Sequence, residues 1–557
     1  MKKIILILIV ALFANIAFAE TVSRILIYNG PGNGLDQCNG ILQDKFGKVY
    51  ATGVSWGGST TKEDYATVKF SEDGDFIWAA RFDGAGHNLD YASAIAIDPM
   101  GNIYVTGWSR QGTSLTTEDY CTIKYNTNGV QQWVSFYNGG SGYDCEFYDH
   151  AVAIVVDQQG NVYVTGYSIN GSDNEDYATV KYNTNGVQQW AKRYNGPSNL
   201  NDKAFSIFVD ASGNVYVTGG SQQSSKGYDY LTIKYSSSGQ QLWTVRYDAA
   251  SKDDMARSLI ADRYGNVYVT GSSDGGPNKP DYATIKYNSS GVQQWLQRYN
   301  GSANDTDIGT SIDLDVYEIP YVTGTSRMLG TNYDFYTVKY NPGDGSIMWS
   351  KYYSSGLLYP NVQDMAWKIK VVSRACATSG PGFDTPCWII DVYVTGGSDG
   401  IGSGLDIATA HYSEAGDQKW ANIFAGVGSS NDAAFDISVM DGYPIVYSGG
   451  ILNNNYGIIG ITDSRSSGNF DNKEISSCYP NPFNPETKIN FNLKNNSFVK
   501  LAIYDALGRE VALLVNDEYE KGSHSVTWNA SGSTSGIYFY KIETAFGNET
   551  KKIVLIK

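Results

Sequence analysis

The chain has 557 residues, with 61 Gly, 43 Tyr and 12 Trp but only 14 Pro, and a formal net charge of −16. Charged residues make up 18%, below the roughly 25% of an ordinary globular protein, and the wealth of aromatics excludes a disordered chain. The negative balance excludes nucleic acid as a partner, because phosphate binding takes clustered Lys and Arg, and it suits a dispersed, monomeric protein compatible with cations or basic surfaces.

Met1-Lys2-Lys3 opens the chain, Ile4 to Phe18 is almost wholly apolar, and Ala17-Phe18-Ala19 is an A-x-A cleavage signature. This reads as a secretory signal peptide over 1–19, cut after Ala19. The apolar run is too short to span a bilayer comfortably, and no later stretch approaches about 18 continuous apolar residues, so the mature chain has no expected transmembrane segment.

An internal period governs residues 20–463. VYVTG recurs as VYATG (49–53), IYVTG (103–107), VYVTG (162–166, 215–219, 267–271 and 392–396), PYVTG (320–324) and, in decayed form, IVYSG (445–449). Successive closing glycines lie 52 to 59 residues apart, except for one interval of 72 that holds a Gly/Pro-rich insertion between Cys376 and Cys387. A disulfide between those two cysteines would staple the base of that insertion. About ten residues after each VYVTG comes a second strand, DYATVKY (176–182) and its relatives, and after a turn a third that carries Trp78, Trp133, Trp190, Trp243, Trp295, Trp349 or Trp420. A fourth strand precedes each VYVTG with the pattern Asp-x-small-x-x-Ile/Leu, led by Asp36, Asp90, Asp149, Asp202, Asp254, Asp307, Asp364 and Asp432.

Each unit is therefore an antiparallel four-stranded meander with apolar side chains on both faces. Such a sheet must stack on neighbours on both sides, which radial repetition in a β-propeller provides. The eighth unit lacks its Trp strand, while RILIYNG (24–30) matches the end of such a strand with no unit before it. The expectation is an all-β, eight-bladed propeller closed by its N-terminal strand, with seven blades as the alternative; the Asp-x-small strand would then be innermost, facing the channel. These units resemble the bacterial seven-bladed β-propeller repeat (SBBP) family, on the VYVTG and DYATVKY strands over 24 to about 461. That resemblance implies the fold and no defined activity.

Residues 464–469 read as a Ser/Gly-rich linker, and 470–557 as six or seven strands of a small β-sandwich. The marks Tyr479-Pro480-Asn481-Pro482-Phe483-Asn484-Pro485, Gly508 within Ile503-Tyr504-Asp505…Gly508-Arg509, Gly536-Ile537-Tyr538 and Lys551-Lys552 occur in order. This segment resembles the C-terminal sorting domain of the type IX secretion system. The resemblance implies passage through the periplasm and across the outer membrane, with the secretion machinery as partner and a cell-surface or extracellular destination.

Chemistry is less legible. The leading aspartates form a candidate ligand-binding rim, and carboxylate oxygens suit Ca²⁺, so calcium is a candidate ion although no cofactor is required. Asp residues that cap their own turns give the competing structural reading. The repeated Trp residues read as wedges between blades. One patch breaks the symmetry: His87 in one inter-unit loop, with Glu146 and His150 in an enlarged acidic loop of the next. Two G-x-S-x-G matches (271–275 and 396–400) lack the strand-to-helix context of a nucleophile elbow. The leading expectation is a non-catalytic module that binds protein or glycan. The alternatives are an extracellular polysaccharide hydrolase or lyase working at the asymmetric patch, and a structural spacer.

Overall fold

The computed structural model describes residues 22–462 and 477–556, except 112–116, 141–146, 170–173, 225, 250–251, 275–278, 330–331, 356–362, 376–387, 400–404, 425–431, 441–444, 453–454, 480–482, 494–496, 506–508 and 545–546. The chain divides into two compact units, 1–463 and 464–557. All regular elements among the described residues are strands, and no helix is long and apolar enough to cross a membrane.

The first unit contains eight antiparallel meanders. Their first strands are Asp36–Gln43, Asp90–Ile97, Phe147–Val156, Asp202–Val209, Asp254–Ala261, Ile308–Leu314, Asp364–Ala375 and Ala433–Ser438, and they number the sheets one to eight. In sheets one to seven the strand order follows the chain. Sheets two and three are further joined by a short parallel pairing of Thr117 and Glu118 with Phe147 and Tyr148. Sheet eight takes its fourth strand from the N-terminal segment Val22–Tyr28, antiparallel to Asn455–Thr462 with Leu26 opposite Ile458 and Tyr28 opposite Tyr456.

Local chemistry explains the repeat. In the turn after the first strand of sheet two, Asp98 accepts hydrogen bonds from the N–H groups of Met100 and Asn102, both at 2.9 Å, and from the Tyr104 hydroxyl at 3.0 Å. Gly101 there has φ +85°, a conformation that side chains resist. Every first strand also carries a β-bulge: in sheet four the register slips between Ala204 and Ser206, opposite Gly219 and Thr218. The bulge drives the Lys203 carbonyl so close that a Cβ on Gly219 would lie 1.9 Å from it, which is why VYVTG ends in Gly.

Apolar faces meet between sheets. Tyr50 and Tyr65 of sheet one pack with Ala92, Val105 and Ile123 of sheet two. The same kind of cluster recurs at each following junction, and Leu26, Tyr447, Tyr456 and Ile458 of sheet eight pack with Cys38, Ile41, Val49 and Val68 of sheet one. The repeated Trp residues bridge these junctions: the Trp78 indole N–H and the Lys69 ammonium both donate to the Thr127 carbonyl of the next sheet, at 3.3 and 2.9 Å. Cys38 and Cys121 are buried free thiols; Cys376 and Cys387, the expected disulfide pair, lie outside the described residues.

The second unit packs a three-stranded sheet and a four-stranded sheet around one core that includes Phe483, Ile489, Leu501, Trp528 and Tyr540.

Candidate functional site

The eight leading aspartates Asp36, Asp90, Asp149, Asp202, Asp254, Asp307, Asp364 and Asp432 are all buried, at 0–1% exposure. Their carboxylates are engaged at the crossovers between sheets rather than presented to bulk solvent. Gly84 N–H, just after the outer strand of sheet one, donates to Asp90 at 2.6 Å, and Arg110 N–H of sheet two donates to the other oxygen at 3.2 Å. Gly30 with Asp36, Gly139 with Asp149, Gly196 with Asp202 and Gly301 with Asp307 repeat the first contact at 2.6–2.8 Å. Each such Asp clamps the chain leaving one sheet onto the start of the next. Burial raises the carboxyls of Asp90 and Asp202 to about 6, against the N–H donors that hold them down.

A second acidic series lies beside the first. Asp64, Asp176, Asp229 and Asp281 each pair with an arginine of the outer strand, Arg81, Arg193, Arg246 or Arg298, at 2.6–2.9 Å. The sequence reading missed these arginines, yet each follows its Asp by 17 residues, a spacing that would have revealed them. Sheet two departs from the pattern. Cys121 pairs with Phe136 where Ala66, Ala178, Leu231 and Ala283 face an arginine. Among the described residues Asp119 is left beside Asp149 without a guanidinium, and burial followed by the Asp149 charge raises its carboxyl to about 6.

Two carboxylate triplets, Asp64–Asp83–Asp90 and Asp229–Asp248–Asp254, are close enough to hold a cation. In both, one member already carries an arginine, Arg81 or Arg246, so positive charge is present without an ion.

The two described members of the asymmetric patch, His87 and His150, each take a partner of their own. His87 bonds Asp83 at 2.6 Å and is largely exposed, while Glu146 lies outside the described residues. His150 instead joins Glu118, a residue the sequence reading passed over. The imidazole Nε2 contacts a Glu118 carboxylate oxygen, and its Nδ1 meets the Tyr167 hydroxyl at 3.0 Å. Arg110 Nε donates to the other Glu118 oxygen at 2.9 Å. Burial alone would raise the Glu118 carboxyl, but His150 and Arg110 together hold it below its ordinary value. Both ring nitrogens of His150 are thus occupied, and its face stacks on Trp108 at 5.1 Å, which stacks in turn on Tyr91 at 5.6 Å. Lys203 lies over Tyr167 at 4.7 Å. These half-buried groups form a fixed aromatic arc from sheet two to sheet four. The corresponding strand positions of sheets five and seven carry Met255 and Ser272, and Met365 and Gly397. One side is therefore rigid and aromatic, the other small and pliable.

All eight first strands line one cavity of about 460 Å³. The bulged residue of each strand belongs to its wall: Asn39, Ser93, Val152 and Phe205 on sheets one to four, then Arg257, Thr310, Trp367 and Phe435 on sheets five to eight. This ring varies from sheet to sheet, whereas the Asp clamps above do not.

In the second unit Phe483 is 2% exposed and packs on Trp528 at 5.3 Å, and it exchanges backbone hydrogen bonds of 3.0 Å with Val554 and Ile556. Tyr538 packs on the same indole at 5.2 Å. Tyr479 ends the first strand, Pro485 accepts from Ala530 N–H at 2.9 Å, Gly536 pairs with Leu555, and Lys551 and Lys552 pair with Tyr540 and Phe539. Pro480, Asn481, Pro482 and Gly508 lie outside the described residues. The marks that order this segment thus tie both ends of the unit into one core.

Residues 477–557 match the family model described as "Secretion system C-terminal sorting domain", and residues 77–110 and 242–277 match the "Beta-propeller repeat" model. No curated protein matches the chain. Among solved structures, PorZ, described as an essential surface component of the type IX secretion system of Porphyromonas gingivalis, aligns at 14% identity and a TM-score of 0.38. It covers 93% of this chain and 66% of its own, just under two thirds of its length. The β-propeller domain of the Trilobed protease from Pyrococcus furiosus aligns at 8% identity and a TM-score of 0.37 over 69% of this chain and 98% of its own. The chain carries propeller repeats and a sorting domain, and the latter marks it as type IX cargo exported to the cell surface or the extracellular space.

Proposed function

We propose that the first unit is a closed eight-bladed propeller that, once outside the cell, binds a protein or glycan ligand at the mouth of its channel without catalysing a reaction. The junction between sheets eight and one supports closure, because it repeats the contacts of ordinary junctions. Tyr456 OH donates to the Ala66 carbonyl at 2.7 Å, as Tyr65 donates to Cys121 and Tyr120 to Ala178 at 3.0 and 3.1 Å.

The observation that carries the binding reading is the broken symmetry of the mouth. Symmetric positions serve the blades, but Trp108, His150 and Tyr167 occur only on sheets two and three. There Glu118 fixes the imidazole with both nitrogens occupied, which suits a contact surface better than a proton shuttle. The chain enters the periplasm on residues 1–19 and leaves it through residues 470–557, which engage the type IX machinery.

A screen of the exported protein against glycans and bacterial and host surface proteins tests the reading. A ligand whose binding weakens in His150→Ala and Trp108→Ala, but not in a substitution on the exposed outer strands such as Phe76→Ser, supports it. A ligand indifferent to both mouth substitutions overturns the assignment to the mouth, and turnover of a polysaccharide overturns the non-catalytic reading.

A further inference from the structure

The channel wall holds one charge that the fold itself does not use. Arg257 occupies the bulge position of sheet five, where register slips between Ala256 and Ser258. It lines the 460 Å³ cavity, and its guanidinium has no hydrogen-bond or ion-pair partner among the described residues. The other two cations of the wall are accompanied: Lys370 lies 3.1 Å from Asp313, and Lys368 lies 4.0 Å from Asp436. Those two acids also take backbone donors, Val371 N–H on Asp313 at 2.9 Å and Ile41 N–H on Asp436 at 3.0 Å. The channel of a strongly acidic protein thus carries one surplus positive charge. Arg257 faces open channel space, yet the surrounding wall strips part of its water and lowers its pKa from the ordinary value; an arginine remains charged throughout the physiological range. Arg257 is an exposed residue of its strand, and its guanidinium, which pairs with no described residue, is available to an anion that enters the channel.

The rest of the ring indicates which anion. Phe205 is the neighbouring bulge residue on sheet four, and Trp367 and Phe435 stack on each other at 4.7 Å and 26° on sheets seven and eight. One planar fork with five donors matches a carboxylate in bidentate fashion. A phosphate dianion would leave charge uncompensated beside a single free cation. The apolar rings favour a ligand with a flat or cyclic body.

We propose that the channel binds an organic monocarboxylate with a cyclic or aromatic body, its carboxylate on Arg257 and its body against the aromatic part of the bulge ring. This deepens the reading of the mouth as the entrance for ligand and rests on it. The monocarboxylate is either free or the end group of a larger chain, and the two are separable by experiment.

Titration of the full-length exported protein with benzoate, followed by calorimetry and tryptophan fluorescence, tests the site. Saturable one-to-one binding is expected. Benzamide, which has the same shape and no charge, should bind about 10- to 100-fold more weakly, the cost of one charge-assisted hydrogen-bonded contact. Arg257→Met should lose benzoate to a similar extent with an unchanged melting midpoint, and Arg257→Lys should keep part of it. The benzoate–benzamide comparison needs no variant and stands even where Arg257→Met fails to fold. Glucuronate competing with benzoate extends the proposal to acidic glycans, and failure to compete confines it to free acids. Benzamide binding as tightly as benzoate, inorganic phosphate binding more tightly, or no saturation at all would overturn the site. A screened glycan or protein that still binds Arg257→Met would leave the mouth reading intact while this one fails.

Discussion

Replacing Asp119 by Asn should stabilise the protein at neutral pH, although the residue is half-buried. In sheets one, three, four and five the equivalent Asp carries an arginine, but in sheet two Phe136 stands in that place. Asp119 keeps one buried oxygen without a hydrogen-bond partner, and burial with the nearby Asp149 raises its carboxyl from 3.8 to about 6. A shift of about two units corresponds to roughly 3 kcal/mol against the ionised folded state. Asp119 is partly exposed, so about 1–2 kcal/mol is the expected gain on neutralisation. The sign follows from proton linkage. The folded pKa is raised, so the folded state binds a proton that the unfolded chain has already released between about pH 4 and pH 6. The penalty is full above that window and absent below it. Urea melts of the parent and Asp119→Asn should differ at about pH 7.5 and converge at about pH 4. Phe136→Arg should reproduce the gain by supplying the guanidinium. Asp176→Asn should gain less, because burial also raises that carboxyl but Arg193 at 2.9 Å opposes the shift. A less stable Asp119→Asn at neutral pH would refute the reasoning, since it would mean that the carboxylate has a stabilising partner.

Four further outcomes follow from contacts within and between the sheets. Tyr456→Phe removes the 2.7 Å bond to Ala66 and should cost about 1–2 kcal/mol in denaturant melts. Tyr282→Phe should be neutral or slightly stabilising, because that buried hydroxyl has no partner. Gly219→Ala would set a Cβ 1.9 Å from the Lys203 carbonyl and should cost about 3 kcal/mol or more, read as a lowered melting midpoint. Chelation should leave the midpoint unchanged, because Arg81 and Arg246 already place a cation at each carboxylate triplet; a lower midpoint in chelator would place a structural cation there.

Strand identity was plain in the repeat because VYVTG and DYATVKY are nearly continuous buried runs flanked by turn residues, as strands covered on both faces should be. The N-terminal RILIYNG was legible as a displaced outer strand because it matches the end of a Trp strand with no unit before it. The clamping role of the leading Asp was available as a turn-capping reading, but its reach across the crossover, from Gly84 to Asp90, was not, since it depends on how one sheet follows another. The Asp-x-small strand was read as facing the channel, but the side chains that form its wall were not. A bulge inserts one residue and breaks the two-residue alternation from which facing is inferred, so Arg257 and Trp367 looked like ordinary variable positions. Glu118 was missed because it sits one residue before a repeated Asp, and only the parallel contact between sheets two and three brings it to His150.

Amide hydrogen exchange of the intact protein, read on the segment Val22–Tyr28, probes most directly whether the ring is sealed by its own N-terminal strand. Protection matching that of its neighbour Asn455–Thr462 is the predicted result. Exchange of Val22–Tyr28 at the rate of a free peptide, with Asn455–Thr462 still protected, would contradict it.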